Sequence, residues 1–167
     1  AKALPRPIPQ PGRGNHSGIH RNADPLYRFP DRRIVKHLHR DQRIRTSSTR
    51  GLGAYANVFA IESAMDELAS MENVDPVAFR LKHLADKRAR AVLNRCADLA
   101  SRHLPKPRDG YKTGYGFAFA QYKNRQTYAA LCVFLQVNEK TLATELDHAV
   151  IVADAGRVVD PDGLRNQ

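Results

Sequence analysis

Between Tyr55 and Met71 the apolar residues Val58, Ile61, Met65 and Leu68 recur at three- and four-residue steps, with Glu62, Asp66 and Glu67 between them. That spacing gathers one apolar stripe on a helix and predicts an amphipathic helix that Asn73 and Val74 end. Asp75-Pro76 opens a second helix, because the carboxylate can accept from unpaired N–H groups and proline suits the first helical position. Val77, Leu81 and Leu84 form its stripe. Asp86 caps a third helix running to about Ser101, with Val92, Leu93, Cys96 and Leu99 facing inward. Pro105-Lys106-Pro107 breaks the chain, and the pattern becomes sheet-like. Tyr115–Tyr122, Tyr128–Val137 and Thr141–Ala153 read as strands, with Asn138-Glu139-Lys140 as a hairpin connection and Val158–Gly163 as turns. Arg33–Leu38 is a further short strand candidate. No repeat is present. Three helices followed by antiparallel strands define an α+β class, with a break near residues 86–110.

Residues 1–30 carry six prolines and three glycines and read as an extended connection crossing a surface. The 167 residues suit one ordinary domain or two small pieces of a larger one. No window holds enough uninterrupted apolar residues for a membrane-spanning helix. Two cysteines, Cys96 and Cys132, cannot build a disulfide framework or a four-thiolate metal site. With no initiator Met and no signal-peptide pattern, the chain reads as processed or as an internal stretch. Charge is uneven: residues 1–50 hold twelve Lys/Arg against three Asp/Glu, and residues 51–167 hold fifteen against fourteen. The basic block reads as a solvated arm, a contact for a phosphate-bearing ligand, or a nucleic-acid contact. It lacks interleaved aromatics and any helical recognition pattern.

The best-defined local site is Arg50-Gly51-Leu52-Gly53, immediately before the first helix. A helix start exposes N–H donors and the positive end of the macrodipole, and glycines let a ligand approach the main chain. The pattern favours an oxyanion or a metal-bound oxo group; the plainer reading is a turn that only aims the helix. Gly12-Arg13-Gly14 lacks a following helix and a Lys-Ser/Thr ending, so it reads as linker. His37 and His39 share a strand face but have no third ligand at a persuasive spacing, so no metal site is assigned. Glu62 and Asp66, four residues apart, are either an acid pair or a solvated helix face. Cys96 and Cys132 stand beside no base and read as core fillers.

The run Arg45-Thr-Ser-Ser-Thr-Arg50-Gly51-Leu52-Gly53-Ala54-Tyr55, continuing to Ala69, and Asp75-Pro76-Val-Ala-Phe79-Arg80-Leu81 resemble the molybdenum-binding large subunit of the xanthine dehydrogenase/aldehyde oxidase family. Ala118–Asn124 and Asp154–Gln167 agree with it. In detail the motifs are most similar to the cytochrome-coupled branch, with the beta subunits of isoquinoline 1-oxidoreductases and the B subunits of nicotinate dehydrogenases. The resemblance implies a two-domain molybdopterin-binding subunit, with residues 1–88 closing the first domain and 89–167 opening the second. It implies a hydroxylase that inserts water-derived oxygen into N-heterocycles or aldehydes at a molybdenum–pyranopterin, in its cytosine dinucleotide form. Electrons would leave through 2Fe–2S clusters on a small subunit towards a c-type cytochrome. No nucleic acid is implied, and the location would be periplasmic or at the membrane periphery.

By position, the resemblance makes Arg50, Gly51, Gly53 and Gln167 cofactor-binding, gives Leu52 an apolar contact with substrate, and leaves Arg13 and Arg21 as phosphate neighbours. Two departures stand out: Thr49 where an apolar residue is usual, and Asp160 where Asn is usual. The family's catalytic glutamate would lie beyond Gln167, so no catalytic residue is assigned and this polypeptide alone is expected not to turn over. The alternatives are a basic polyanion-binding module and a non-catalytic remnant of the family.

Overall fold

The computed structural model describes residues 18–37, 50–106 and 108–166. Its element order is α1 (Gly53–Met71), α2 (Pro76–His83), α3 (Lys87–Ser101), β1 (Tyr111–Gln121), a 3₁₀ turn (Tyr122–Asn124), β2 (Tyr128–Asn138), β3 (Thr144–Asp154) and α4 (Pro161–Arg165). The strands form one antiparallel sheet in the order β1-β2-β3. The α+β class and the three helices expected from the sequence are present. Asp75 Oδ1 accepts from Ala78 N at 2.8 Å, and Asp86 Oδ1 accepts from Arg88 N at 2.7 Å and Ala89 N at 3.1 Å. Arg90 donates to the carbonyls of Leu81 and Leu84, closing the C-terminal end of α2.

Three expectations are corrected. Residues 33–37 have no regular structure and are exposed, because no described strand lies beside Ile34 and Val35 to complete a ladder. The strand boundaries follow pairing, not propensity. β1 starts at Tyr111, opposite Asn138. β3 starts only at Thr144, because Asn138 Oδ1 accepts from Lys140 N and Thr141 N and spreads the turn to Ala143. The segment after Val158 closes in the short helix α4, where Asp160 Oδ1 accepts from Gly163 N at 2.9 Å.

The core lies between the helices and one face of the sheet. Val92, Leu93 and Cys96 of α3, with Val77 and Phe79 of α2 and Leu84 just after it, pack against Phe117, Phe119, Ala130, Cys132 and Phe134. On α1 the buried residues are Ala54, Glu62, Met65 and Ala69, whereas Leu68 is exposed. The stripe is therefore turned from the expected one, because Glu62 has partners inside. Its Oε1 accepts from Tyr27 OH at 2.8 Å, and its Oε2 from Arg80 Nε at 2.9 Å and Phe119 N at 2.8 Å. Arg80, with no exposed surface, also donates to Asp66 Oδ1, Pro76 O, Glu62 O and Phe117 O. Phe119 N and Phe117 O lie on the edge of β1 facing away from β2. The Glu62–Arg80 pair thus satisfies an edge strand's main chain where another strand would otherwise pair. Burial pushes the Glu62 carboxyl up, while Arg80, Tyr27 and Phe119 N pull it back; every contact donates to it, as suits the carboxylate.

Arg88 grips Asp154 with two bonds, Nε to Oδ2 at 2.8 Å and Nη2 to Oδ1 at 2.7 Å, tying α3 to the end of β3. The guanidinium, helped by Gly156 N, holds the Asp154 carboxyl down to about 2. A depressed carboxyl stabilises the fold fully above the unfolded value near 3.8 and loses that contribution as pH falls through about 2. Carboxyl-carbon NMR titration should find Asp154 near that value, and Arg88→Met should return it towards the ordinary range. An ordinary value with Arg88 in place would break the assignment.

Candidate functional site

The turn into α1 is built from unusual backbone. Gly51 has φ +85°, and Leu52 takes φ 51°, ψ −133°, a conformation costly for a side-chain-bearing residue. Ala54 N closes the turn on Gly51 O at 3.1 Å. Leu52 supplies no side-chain cap, and the first turn of α1 has no acidic residue. Among the described residues, its leading N–H groups therefore keep the positive end of the helix available to an anionic group.

The two glycines have different surroundings. Among the described residues a Cβ on Gly51 would meet only Tyr55, at 3.8 Å or more, so its side is open to them. A Cβ on Gly53 would strike main chain, the carbonyl of Ile19 and Gly18 O at 2.6 Å. Gly53 is thus needed for the helix start to dock on residues 18–21. Asn57 Nδ2 completes that docking by donating to Ile19 O and Arg21 O, both at 2.8 Å.

Beside the turn lies a cavity of ≈ 450 Å³. Arg50, Gly51, Ala54 and Tyr55 line one side; Tyr122, Ala120 and Ala129 at the ends of β1 and β2 line the other. Arg21 Nη1 holds Tyr122 OH at 2.7 Å. Asn22, buried, donates from Nδ2 to Gln121 O at 2.8 Å and Asn124 Oδ1 at 2.9 Å, and its Oδ1 accepts from Lys123 N at 2.9 Å. Lys123 and Asn124 both have φ 56°, so this clasp holds two consecutive left-handed residues and fixes the tyrosine wall.

Of the sequence-derived site residues, Arg50 and Gly51 reach the cavity, Leu52 is half-buried at the turn, and Gly53 packs against the 18–21 segment. Gln167, Arg13 and His39 lie outside the described residues. Glu62 and Asp66 come together, but around Arg80, so neither the acid pair nor the solvated face describes them. Among the described residues no three His, Cys, Asp or Glu side chains gather to hold a metal ion. Cys96 and Cys132 are buried, and burial pushes the Cys132 thiol up to about 11, as suits core residues. Sequence reasoning missed the roles of Asn22, Tyr55 and Tyr122. Tyr55 and the Tyr122-Lys123-Asn124 stretch each stood in a motif of the resemblance, but without an assigned role.

A glycine-bounded helix start that Leu52 does not cap, opening on a largely apolar cavity, has the chemistry of a candidate small-molecule or cofactor site. Residues 9–84 match the molybdopterin cofactor-binding domain. The B subunit of nicotinate dehydrogenase from Pseudomonas putida is 37% identical over 136 residues, covering 74% of this chain and 12% of that protein. The beta subunit of isoquinoline 1-oxidoreductase from Brevundimonas diminuta is 31% identical over 119 residues, covering 71% of this chain and 15% of that protein. The chain belongs to the molybdopterin-binding subunits of molybdenum-dependent oxidoreductases, and the matched stretch spans 12% and 15% of the length of these two relatives.

Proposed function

We propose that this chain supplies one wall of the cofactor and substrate site in a molybdenum hydroxylase large subunit. The observation that carries the reading is the uncapped start of α1 at Arg50-Gly51, opening on the tyrosine-walled cavity. The residues present fit a molybdenum–pyranopterin: the first-turn N–H groups and the open side of Gly51 accept close approach by its anionic groups, and Arg50 adds positive charge. When bound, that group supplies oxidation of an electron-poor carbon with oxygen drawn from water. Tyr55, Tyr122, Ala120 and Ala129 offer an apolar lining suited to an N-heteroaromatic ring or an aldehyde, with Leu52 adding apolar contact. The names of the two relatives, nicotinate dehydrogenase and isoquinoline 1-oxidoreductase, support the heterocycle class.

Residues 1–88 and 89–167 then belong to consecutive cofactor-binding domains, a division supported by the family match ending at residue 84. The cofactor is its cytosine dinucleotide form. Electrons pass to an iron–sulfur subunit and on to a c-type cytochrome, in the periplasm or at the membrane periphery.

Metal analysis of the full-length subunit, purified from a host that makes the cofactor, tests this. About one molybdenum per subunit with pterin fluorescence is expected, and Gly51→Ala should lower both severalfold with unchanged far-UV circular dichroism. A folded full-length subunit free of molybdenum and pterin would defeat the reading.

A further inference from the structure

A second cavity, of ≈ 570 Å³, opens where the chain leaves α3 beside β2 and β3. Gln136 stands roughly 20 Å along β2 from Ala129, so this cavity is separate from the one at the start of α1. His103, Gln136, Asp147 and His148 line it, together with Arg102 and Lys106. The irregularity on β3 brings Asp147 and His148 together, with Asp147 Oδ2 2.7 Å from His148 Nδ1. An ionised carboxylate can only accept, so Nδ1 carries the proton there. The other carboxylate oxygen accepts from Gln136 Nε2 at 2.9 Å. His148 also stacks on Phe134, with ring centres 4.2 Å apart. Ring plane and tautomer are thus both fixed, and in the neutral ring Nε2 is left as an acceptor. Among the described residues, that Nε2 and Gln136 Oε1 are buried without a partner. Two buried acceptors without a donor carry a desolvation cost that an electron-pair acceptor removes. The ring of His103 stands edge-on to His148, with centres 5.7 Å apart and planes at 70°.

We propose that His103 and His148 bind one divalent transition-metal ion of the zinc class, with the Gln136 side-chain oxygen and water completing its shell. The donor set is two imidazoles and an amide oxygen. Metal-bound histidines characteristically donate their other ring N–H to a carboxylate, the part that Asp147 plays for His148. With zinc–nitrogen bonds of about 2.0–2.1 Å, two imidazoles on one tetrahedral ion have ring centres about 5–6 Å apart. His103 and His148 stand at that spacing. His103 is exposed just past the end of α3, so turning a ring nitrogen towards the ion needs only side-chain rotation. An anion would instead meet the Gln136 oxygen and the Asp147 carboxylate. Two nitrogen donors select zinc, nickel or copper over calcium and magnesium, which take oxygen. Asp98 neutralises Arg102 through two contacts of 2.9 Å. Lys106 keeps a positive charge beside the ion and lowers its affinity without removing a donor.

Zinc binding to the full-length subunit, measured by competition with a chromophoric chelator, tests the proposal. Molybdenum and pterin take no part in this readout, so its failure is separable from failure of the proposed function. The parent should take up about one zinc more than His103→Ala, and about one more than His148→Ala. Asp147→Asn should keep the site but weaken it about 10- to 100-fold, the usual effect of losing a carboxylate that orients a ligand. His103→Ala decides the matter, because it removes an exposed ring outside the helices and strands and should leave far-UV circular dichroism unchanged. Equal zinc uptake by the parent and a folded His103→Ala subunit overturns the proposal. A loss confined to His148→Ala overturns it as well, since the site is then not shared by two imidazoles.

Discussion

Arg80→Met is expected to destabilise the fold by about 3–5 kcal/mol, the usual cost of removing one partner of a buried ion pair. Arginine has five N–H donors, and all of them are used here: on Glu62 Oε2, Asp66 Oδ1, Pro76 O, Glu62 O and Phe117 O. Methionine fills much of the space but takes the countercharge from a buried carboxylate, which keeps only Tyr27 OH and Phe119 N among these donors, and leaves the Phe117 carbonyl without the guanidinium. Asp66 is half-exposed and can regain water; Glu62 cannot. Arg80→Lys should recover little, since three donors on a flexible stem cannot reach α1, α2 and β1 together. Adding Glu62→Gln to Arg80→Met should recover part of the loss by removing the stranded charge. Urea unfolding of the three variants gives the comparison. An Arg80→Met protein within 1 kcal/mol of the parent would mean that the pair does not hold α1, α2 and β1 together.

That network also shows where sequence reasoning ended. The caps of α2 and α3 were legible because Asp75 and Asp86 act on N–H groups two and three residues away. The orientation of α1 was not, because Glu62 turns inward for Arg80, eighteen residues on, and Phe119, fifty-seven residues on. Periodicity placed Leu68 inside in its stead. The sheet was visible as β-rich runs, but one irregularity was not. A shift between Phe134 and Leu135 leaves Asp147 as the extra residue on β3. There His148 Nδ1 meets Asp147 Oδ2 at 2.7 Å, although neighbours on a regular strand point to opposite faces. At the site, glycines before a helix marked Arg50 and Gly51. The opposite wall comes from Tyr122, held by Arg21 and Asn22 across about a hundred residues, a separation that no local pattern encodes.

Gly53→Ala should destabilise the chain by about 1–3 kcal/mol, the range for overpacking a filled site, although alanine replaces glycine within a helix. In an ordinary exposed helix the same change gains up to about 1 kcal/mol through propensity. The sign reverses because the new methyl would meet the carbonyls of Ile19 and Gly18, main-chain atoms that have no alternative rotamer. Either α1 gives up its first turn, or residues 18–21 leave the helix and surrender the two bonds from Asn57. Arg21 moves with that segment, so Tyr122 loses the donor to its hydroxyl and the cavity loses its fixed wall. Gly51→Ala supplies the contrast. Its φ of +85° makes alanine strained, at a cost of order 1–3 kcal/mol, yet among the described residues the added Cβ meets no other segment. Hydrogen exchange separates the two: Gly53→Ala should expose the amides of Arg21 and Ala23, bonded to Gly18 O and His20 O, whereas Gly51→Ala should leave them protected. Unchanged protection in Gly53→Ala would show that the close approach at Ile19 is not what this glycine is for.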